Sequence, residues 1–162
     1  MWSSERRLVL AFMGSAALAG CFRPMLREDS AARGLRNRIA LPEVDGRFGY
    51  FLHQSLQDRL GKPVAPEFRL EISTKIETQG LAVAEDDAIT RLALVATGRW
   101  LLWRAGEQEP VLEGSALAQS GYSATGSLFA TRIARRDVEE RLARDLGERI
   151  ARSIFAQAGE VL

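Results

Sequence analysis

In the stretch Glu67–Glu77, EFRLEISTKIE, mostly apolar residues alternate with polar or charged ones, so the pattern has a period of two. Successive side chains of a β-strand point to opposite faces of a sheet. This period therefore predicts a strand with one buried face and one solvent-exposed face, called the wet face below. The residues predicted to face the core are Phe68, Leu70, Ile72, Thr74 and Ile76. The opposite face carries Arg69, Glu71, Ser73, Lys75 and Glu77.

Two further strands follow this one in the chain. Ala88–Arg104 alternates in the same way, and after the turn at residues 106–110 the stretch Val111–Ser120 predicts a third strand. Short connections between consecutive strands predict an antiparallel meander. Upstream, Arg38–Val44 predicts a short first strand, which Pro42 would confine to a sheet edge or end early.

Helical periodicity appears on either side of the three strands. In the segment 46–60 an apolar residue recurs every fourth position, and Gly61 supplies a stop signal. A second helix of about thirty residues is predicted from Leu128 to Ile154. The order β-α-β-β-β-α predicts an α+β fold with two layers, a mostly antiparallel four-stranded sheet and two helices on one of its faces.

The outer side of the last helix carries oppositely charged residues four positions apart, which predicts a solvated, ion-paired surface. These pairs are Arg136 with Glu140, Glu140 with Arg144, Arg141 with Asp145, and Glu148 with Arg152. An arginine face that grips phosphate is the alternative, and the interleaved acids argue against it. Gly147, inside this helix, predicts close packing or a bend.

The N-terminus has the layout of a signal peptide. Arg6 and Arg7 precede the apolar run Leu8–Ala19, which at about a dozen residues is shorter than the roughly 20 that a membrane-spanning helix needs. The sequence Leu18-Ala19-Gly20-Cys21 then resembles the lipobox of bacterial lipoproteins, and Cys21 is the only cysteine. This resemblance implies cleavage between Gly20 and Cys21 and a lipid on Cys21. The alternative is a plain secretory signal followed by a buried free cysteine.

Three segments are therefore expected: a lipoprotein signal peptide at 1–20, a lipidated N-terminus and tether at 21–34, and a single periplasmic α/β domain at 35–162. The full chain has a net charge of +1. Loss of Glu5, Arg6 and Arg7 with the signal peptide leaves 22 − 2 = 20 basic and 21 − 1 = 20 acidic residues. A neutral domain has no excess of positive charge to attract nucleic acid.

The sequence contains no recognisable catalytic arrangement. One cysteine, one histidine and the absence of a nucleophile elbow, a phosphate loop or metal-ligand spacing predict no catalytic residue, no cofactor and no metal site. We expect His53 to be a partly exposed surface residue. The wet face of the sheet is the expected place for a partner or an amphiphile, through the candidate contact residues Arg69, Lys75, Arg91 and Arg99.

Several short motifs together resemble the LptE family, the lipopolysaccharide-assembly lipoproteins of the Gram-negative outer membrane. Besides the lipobox they are Cys-Phe-Arg-Pro-Met at 21–25, Phe-Arg-Leu-Glu-Ile at 68–72, Thr-Arg-Leu at 90–92, and Ser-Gly-Tyr at 120–122 before an alanine-rich last helix. The family usually has glycine after the cysteine, whereas this chain has Phe22. The segment that follows the cysteine is therefore one residue shorter in this chain than in the family pattern. A residue other than aspartate at this position resembles an outer-membrane sorting signal.

The resemblance implies a lipid-anchored protein on the periplasmic side of the outer membrane. It would be no enzyme but a plug and assembly partner of the β-barrel LptD, acting in the delivery of lipopolysaccharide to the outer leaflet. Its partners would be the barrel, lipopolysaccharide and the membrane. An auxiliary lipoprotein of another envelope transport system, or a peptidoglycan-associated module, is the alternative.

Overall fold

The computed structural model describes residues 30–83, 89–124 and 127–162. The predicted signal peptide, the cleavage site at Gly20 and the lipidation site at Cys21 lie outside these residues. The helices are α1 (Ala31–Leu35), α2 (Gly46–Leu60) and α3 (Leu128–Gln157), followed by a 3₁₀ turn at Ala158–Glu160. The strands are β1 (Ile39–Ala40), β2 (Phe68–Val83), β3 (Ile89–Arg104) and β4 (Pro110–Ser123). The predicted α+β fold with a mostly antiparallel four-stranded sheet is confirmed.

The sheet has the order β1-β2-β3-β4. Its first pair is parallel, with Ile39 opposite Phe68, and the remaining pairs form the predicted antiparallel meander. Strand β2 continues six residues beyond the predicted end at Glu77. Alternation fades there, at Gly80, and pairing with β3 keeps the segment extended across a register shift between Gly80 and Ala82. Tertiary pairing thus extends the strand where the local pattern is weak.

Strand β1 is much shorter than the predicted strand at 38–44, because only two of its residues pair with β2. Pro42 has no backbone N–H to give to a ladder, and the chain leaves the sheet before reaching it. The carbonyl of Pro42 is instead 3.0 Å from Nδ1 of His53 on α2. The segment therefore serves mainly to lead the chain from the sheet to α2.

Helix α1 was not predicted. The Ser30 hydroxyl caps it by accepting a hydrogen bond from the backbone N–H of Arg33, and Ala32 and Leu35 are buried against the core. Five residues form little more than one turn, too few to show a helical period. Within the described residues, helical structure is thus present at Ala31–Leu35, although residues up to 34 were predicted to belong to the tether.

The core lies between the sheet and the helices. Trp100 and Leu102 of β3 are fully buried, as are the facing leucines and isoleucines of α2 and α3. Helix α3 passes close over Gly98, where an added Cβ would lie 3.1 Å from Cδ1 of Ile150. All of these side chains belong to one hydrophobic cluster.

The two long helices cover different lengths of the sheet. Helix α3 has 30 residues, whereas α2 has 15 and ends beside β1, where the Leu60 carbonyl accepts a hydrogen bond from the N–H of Asn37. Helix α3 therefore extends over more of the inner face than α2 does. Ile76 was predicted to face the core, and its register opposite Ala96 keeps it on the inner side. It is nevertheless 41% exposed, because it lies beyond the part of the sheet that α2 covers.

Candidate functional site

The face of the sheet opposite the helices, called the open face below, is organised in cross-strand rows. The register of β2, β3 and β4 places Ser73, Arg99 and Ser115 side by side in one row. The adjacent row consists of Glu71, Leu101 and Glu113. Side chains directly opposite each other in a row have Cβ atoms about 4.5–5.5 Å apart, so each row forms a continuous contact surface.

These two rows line a hollow of about 740 Å³, called the open-face hollow below. The remaining lining comes from the intervening residues Ile72, Trp100 and Gly114. Ligand sites of small molecules commonly have volumes of about 300–1,000 Å³. The open-face hollow is therefore large enough for a small ligand or for a segment of a larger one.

One end of the hollow is held in place by a cluster of three side chains. Glu71 forms an ion pair with Arg69, and Trp103 donates a hydrogen bond from Nε1 to Oε2 of Glu71 at 3.0 Å. The Arg69 guanidinium lies 5.6 Å from the centre of the Trp103 ring. Because both carboxylate oxygens of Glu71 are engaged, its charge is largely compensated within the cluster.

The centre of the hollow is different, because its charges are uncompensated. Arg99 and Glu113 are exposed, and neither makes an ion pair or hydrogen bond with any residue of the described ranges. The hydroxyls of Ser73 and Ser115 flank Arg99 in its row. The hollow thus offers one free cation, two hydroxyls and one free carboxylate on a rigid sheet surface.

The four basic residues predicted as candidate contacts lie on the open face but fall into two groups. Arg69 is paired with Glu71, and Lys75 is 2.8 Å from Glu77. Arg91 and Arg99 make no ion pair with the described residues. Arg91 and Arg99 are eight positions apart on β3, a distance of about 26 Å, so they cannot bind the same small ligand.

Arg91 lies at a smaller hollow of about 350 Å³ with Gly121, Tyr122 and Ser123. This hollow and the open-face hollow occupy different parts of the same face. The structure therefore brings Arg69 and Arg99 close to the open-face hollow and sets Arg91 apart.

Glu113, Ser115 and Trp103 line or border the open-face hollow, and none of the three was predicted from the sequence as a contact residue. Strand β4 carries small residues on both faces, so its alternation does not tell which side is open. Trp103 has the same parity along β3 as Arg91 and Arg99, which was the available signal for placing it on the open face. Because large aromatic residues are usually buried, Trp103 is easily assigned to the core in spite of this alternation.

His53 is half-buried on α2, on the opposite side of the sheet from the hollow. Its contact with the Pro42 carbonyl fits the expected role as a partly exposed surface residue. Among the described residues there is no group of three metal-ligating side chains, and none of the helices there is long and apolar enough to cross a membrane.

The charged face of α3 is ion-paired, as predicted, but with several different partners. Of the four predicted pairs, only Glu140–Arg144 forms, at 3.3 Å. The other pairs made by α3 are Asp137–Arg141, Asp145–Arg149, Arg135–Glu139, Arg47–Glu140 and Arg59–Glu148. Most pairs within the helix have the acid four residues before the base, the more favourable orientation. The other three predicted pairs are wrong.

No family model matches the chain, and no curated protein matches its sequence. Solved structures do match. A candidate lipoprotein from Caulobacter crescentus CB15 is 21% identical with a TM-score of 0.63, and the match covers 80% of this chain and 96% of the other. Rare lipoprotein B from Shewanella oneidensis is 11% identical with a TM-score of 0.60, covering 76% and 96%. A minor lipoprotein from Acinetobacter baumannii is 14% identical with a TM-score of 0.56, covering 74% and 89%.

The chain has the fold of these lipoproteins. The end of the domain where the described chain begins lies far from the end of the sheet that β2 reaches at Val83. Helix α1 packs beside the C-terminus, since a Cβ on Gly34 would lie 2.7 Å from Cδ1 of Leu162. That end of the domain also holds the start of β2. Strand β2 has 16 residues, so its far end lies about 50 Å from the end where the described chain begins.

Proposed function

We propose that the chain is an outer-membrane lipoprotein that acts as a plug and assembly partner of an LptD-like β-barrel in the delivery of lipopolysaccharide to the outer leaflet. The observation that carries the proposal is the fold, which the described domain has in common with three solved lipoproteins. It agrees with the lipobox sequence at 18–21 and with the motifs that resemble the LptE family.

The position of the anchor fits this role. Cys21 precedes Ser30 by nine residues, which span at most about 30 Å when fully extended. A lipid on Cys21 would therefore hold the α1 end of the domain close to the membrane surface, and two or three acyl chains would make the attachment firm. The far end of the β2–β3 hairpin would then point away from the anchor.

The shape and polarity of the domain also fit a barrel lumen. Transmembrane barrels have polar interiors and an outer apolar band about 25 Å tall. A sheet about 50 Å long is long enough to extend through such a band, and its open face carries exposed, mostly polar side chains. Compensated pairs such as Arg69–Glu71 and Lys75–Glu77 suit a polar, partly hydrated lumen.

Exposed apolar side chains at the start of α3 provide a second contact region. Leu128 is 85% exposed and Phe129 is 74% exposed, at the end of the domain far from α1. Large apolar side chains clustered on a surface commonly mark interaction sites. We propose that Leu128 and Phe129 contact the barrel.

The chemistry of the hollow favours binding over catalysis. The serines of the hollow have no neighbouring histidine, cysteine or lysine in its lining that could activate them as nucleophiles. Arginine, serine and glutamate side chains on a sheet are instead suited to holding charged groups. We therefore propose a role in binding and assembly.

Capture of partners from membranes tests the proposal. A tagged copy solubilised from outer membranes should bring down a large β-barrel protein in stoichiometric amount, and its depletion should reduce lipopolysaccharide at the cell surface. Capture of no barrel protein, or of a transport system of the inner membrane in its place, would rule out the plug role.

The variant Cys21→Ala tests the anchor separately. Because the thiol of Cys21 is the expected site of attachment, the variant should lose palmitate labelling and leave the outer-membrane fraction. Persistent labelling would refute lipidation at this residue, whatever the outcome of the capture experiment.

A further inference from the structure

We propose that the open-face hollow binds a phosphate group that carries a primary amine, such as the phosphoethanolamine headgroup. In this arrangement Arg99, Ser73 and Ser115 hold the phosphate, and Glu113 holds the ammonium group. The inference depends on neither the lipid anchor nor the barrel partner, because it rests only on side chains of the sheet.

The row Ser73–Arg99–Ser115 supplies the anion-binding half of the site. A guanidinium can donate two parallel hydrogen bonds to phosphate oxygens, and hydroxyls on either side can donate one each. Strand pairing fixes the three residues side by side. Arg99 has no carboxylate partner within the described parts of the chain, so binding an anion breaks no existing ion pair there.

Glu113 supplies the cation-binding half. It lies on β4 two residues before Ser115, which makes it a diagonal neighbour of Arg99 at about 7–8 Å. The other carboxylate of its row, Glu71, is already engaged by Arg69 and Trp103. The free groups of the hollow are thus one positive and one negative charge, held a short distance apart.

This charge pattern selects against a bare phosphate. An inorganic phosphate bound at Arg99 would be repelled by Glu113, whereas the ammonium group of an aminoalkyl phosphate would turn that repulsion into attraction. Leu101, half-buried between the two carboxylates, offers an apolar surface to the carbon atoms that join amine and phosphate. The volume of about 740 Å³ leaves room for the rest of a larger molecule.

Calorimetric titration of the full chain, purified in a non-ionic detergent, tests the proposal. The ligands are O-phosphoethanolamine, inorganic phosphate and ethanolamine. We expect phosphoethanolamine to bind about tenfold or more tightly than either fragment, since it satisfies both charges at once. Equal affinity for inorganic phosphate and phosphoethanolamine would overturn the inference.

Two variants with matched controls locate the site. Arg99→Gln should weaken phosphoethanolamine binding about tenfold, while Arg91→Gln, on the same strand and the same face, should leave it unchanged. Glu113→Gln should weaken phosphoethanolamine several-fold and leave phosphate binding equal or stronger, and Glu109→Gln should change neither. An equal loss in Arg91→Gln, or a loss of phosphate binding in Glu113→Gln, would contradict the proposal. All four residues have exposed side chains, and unfolding curves of each variant verify that the fold is retained.

The source of the ligand is resolved with two further preparations. One is a vesicle of phosphatidylcholine with and without phosphatidylethanolamine, and the other is soluble glycerophosphoethanolamine. Binding in either preparation supports the inference and identifies the source, and binding in neither overturns it. Because barrel capture is measured separately, failure of the plug role and failure of this site are distinguishable.

Discussion

Gly147 of α3 lies directly against Ser55 of α2. A Cβ atom on Gly147 would lie 2.8 Å from both Cβ and Oγ of Ser55, and 3.2 Å from the Leu52 carbonyl oxygen. Ser55 also donates a hydrogen bond from its hydroxyl to the carbonyl of Arg144 at 2.8 Å. The two helices therefore cross in close contact at this point. This explains a glycine within a helix, where it costs roughly 1 kcal/mol relative to alanine.

Gly147→Ala is expected to destabilise the domain. The gain in helix propensity is about 1 kcal/mol, but the new methyl group overlaps the Ser55 side chain and lies tightly against the Leu52 carbonyl oxygen. Overpacking of this kind typically costs about 1–3 kcal/mol. We expect a net loss of about 1 kcal/mol in the free energy of unfolding, measured by urea denaturation. In the control Gly159→Ala the methyl group meets nothing within 4 Å, so its stability should be unchanged. A stabilised Gly147→Ala protein would contradict the close crossing.

A second close approach joins the sheet strands β3 and β4. A Cβ on Gly114 would lie 2.5 Å from Cζ2 of Trp100, whose indole is fully buried. We expect Gly114→Ala to cost more than about 2 kcal/mol, because the large ring cannot move aside in a packed core. Denaturation curves of Gly114→Ala, Trp100→Leu and the double variant check this. The alanine should cost less when Trp100 is already replaced, whereas strictly additive losses would show that the two residues do not collide.

Acidification is expected to remove a stabilising ion pair at the start of the sheet. The hydrogen bond from Arg38, followed by the charges of Arg38 and Arg104, holds the pKa of Glu67 below its ordinary value of 4.5. A lowered folded-state pKa stabilises the fold at pH values above 4.5, and the contribution disappears as the pH falls through the lowered pKa. The pair is solvent-exposed, so the effect is modest.

Thermal unfolding between pH 7 and pH 3 measures this contribution. The melting temperature of the wild type should fall more between pH 5 and pH 3 than that of Glu67→Gln, and the two proteins should converge at the acid end. Glu109→Gln, which removes an exposed carboxylate in the β3–β4 turn, should keep the wild-type pH profile. Parallel pH profiles for wild type and Glu67→Gln would contradict the prediction.

The long elements were predictable from the sequence because each one repeats its own period many times. In β2 the apolar residues alternate from Phe68 onward, and in α2 they recur at every fourth position up to Leu60. Both patterns reflect burial of one face of the element. Helix α1 and the full length of β2 were not predictable. In those segments the conformation is decided by packing of Leu35 and by pairing with β3, and neither effect leaves a local pattern.

The candidate site was predictable only in part. The basic residues of the open face were identified from the alternation along the strands. Arg99 follows that alternation, because its side chain points to the face opposite that of the buried Trp100. The pairs Arg69–Glu71 and Lys75–Glu77 each join residues two positions apart on one face of β2. That Arg99 has no acid beside it was not predictable, since its neighbours are set by the register with β2 and β4. Glu71 compensates Arg69, whereas the row of Arg99 contains only serines.

Polar substitution of the exposed apolar residues of α3 should separate stability from partner binding. Leu128 and Phe129 contribute little buried surface to the domain, so Leu128→Ser and Phe129→Ser should change the free energy of unfolding by no more than about 0.5 kcal/mol. If the two side chains contact the barrel as proposed, the double variant should capture less of it from outer membranes. Leu142→Ala is the matched contrast. Leu142 is fully buried on the same helix, so its truncation should lower the free energy of unfolding by about 2–5 kcal/mol. Undiminished barrel capture by the double variant, at unchanged stability, would show that this end of α3 lies outside the interface.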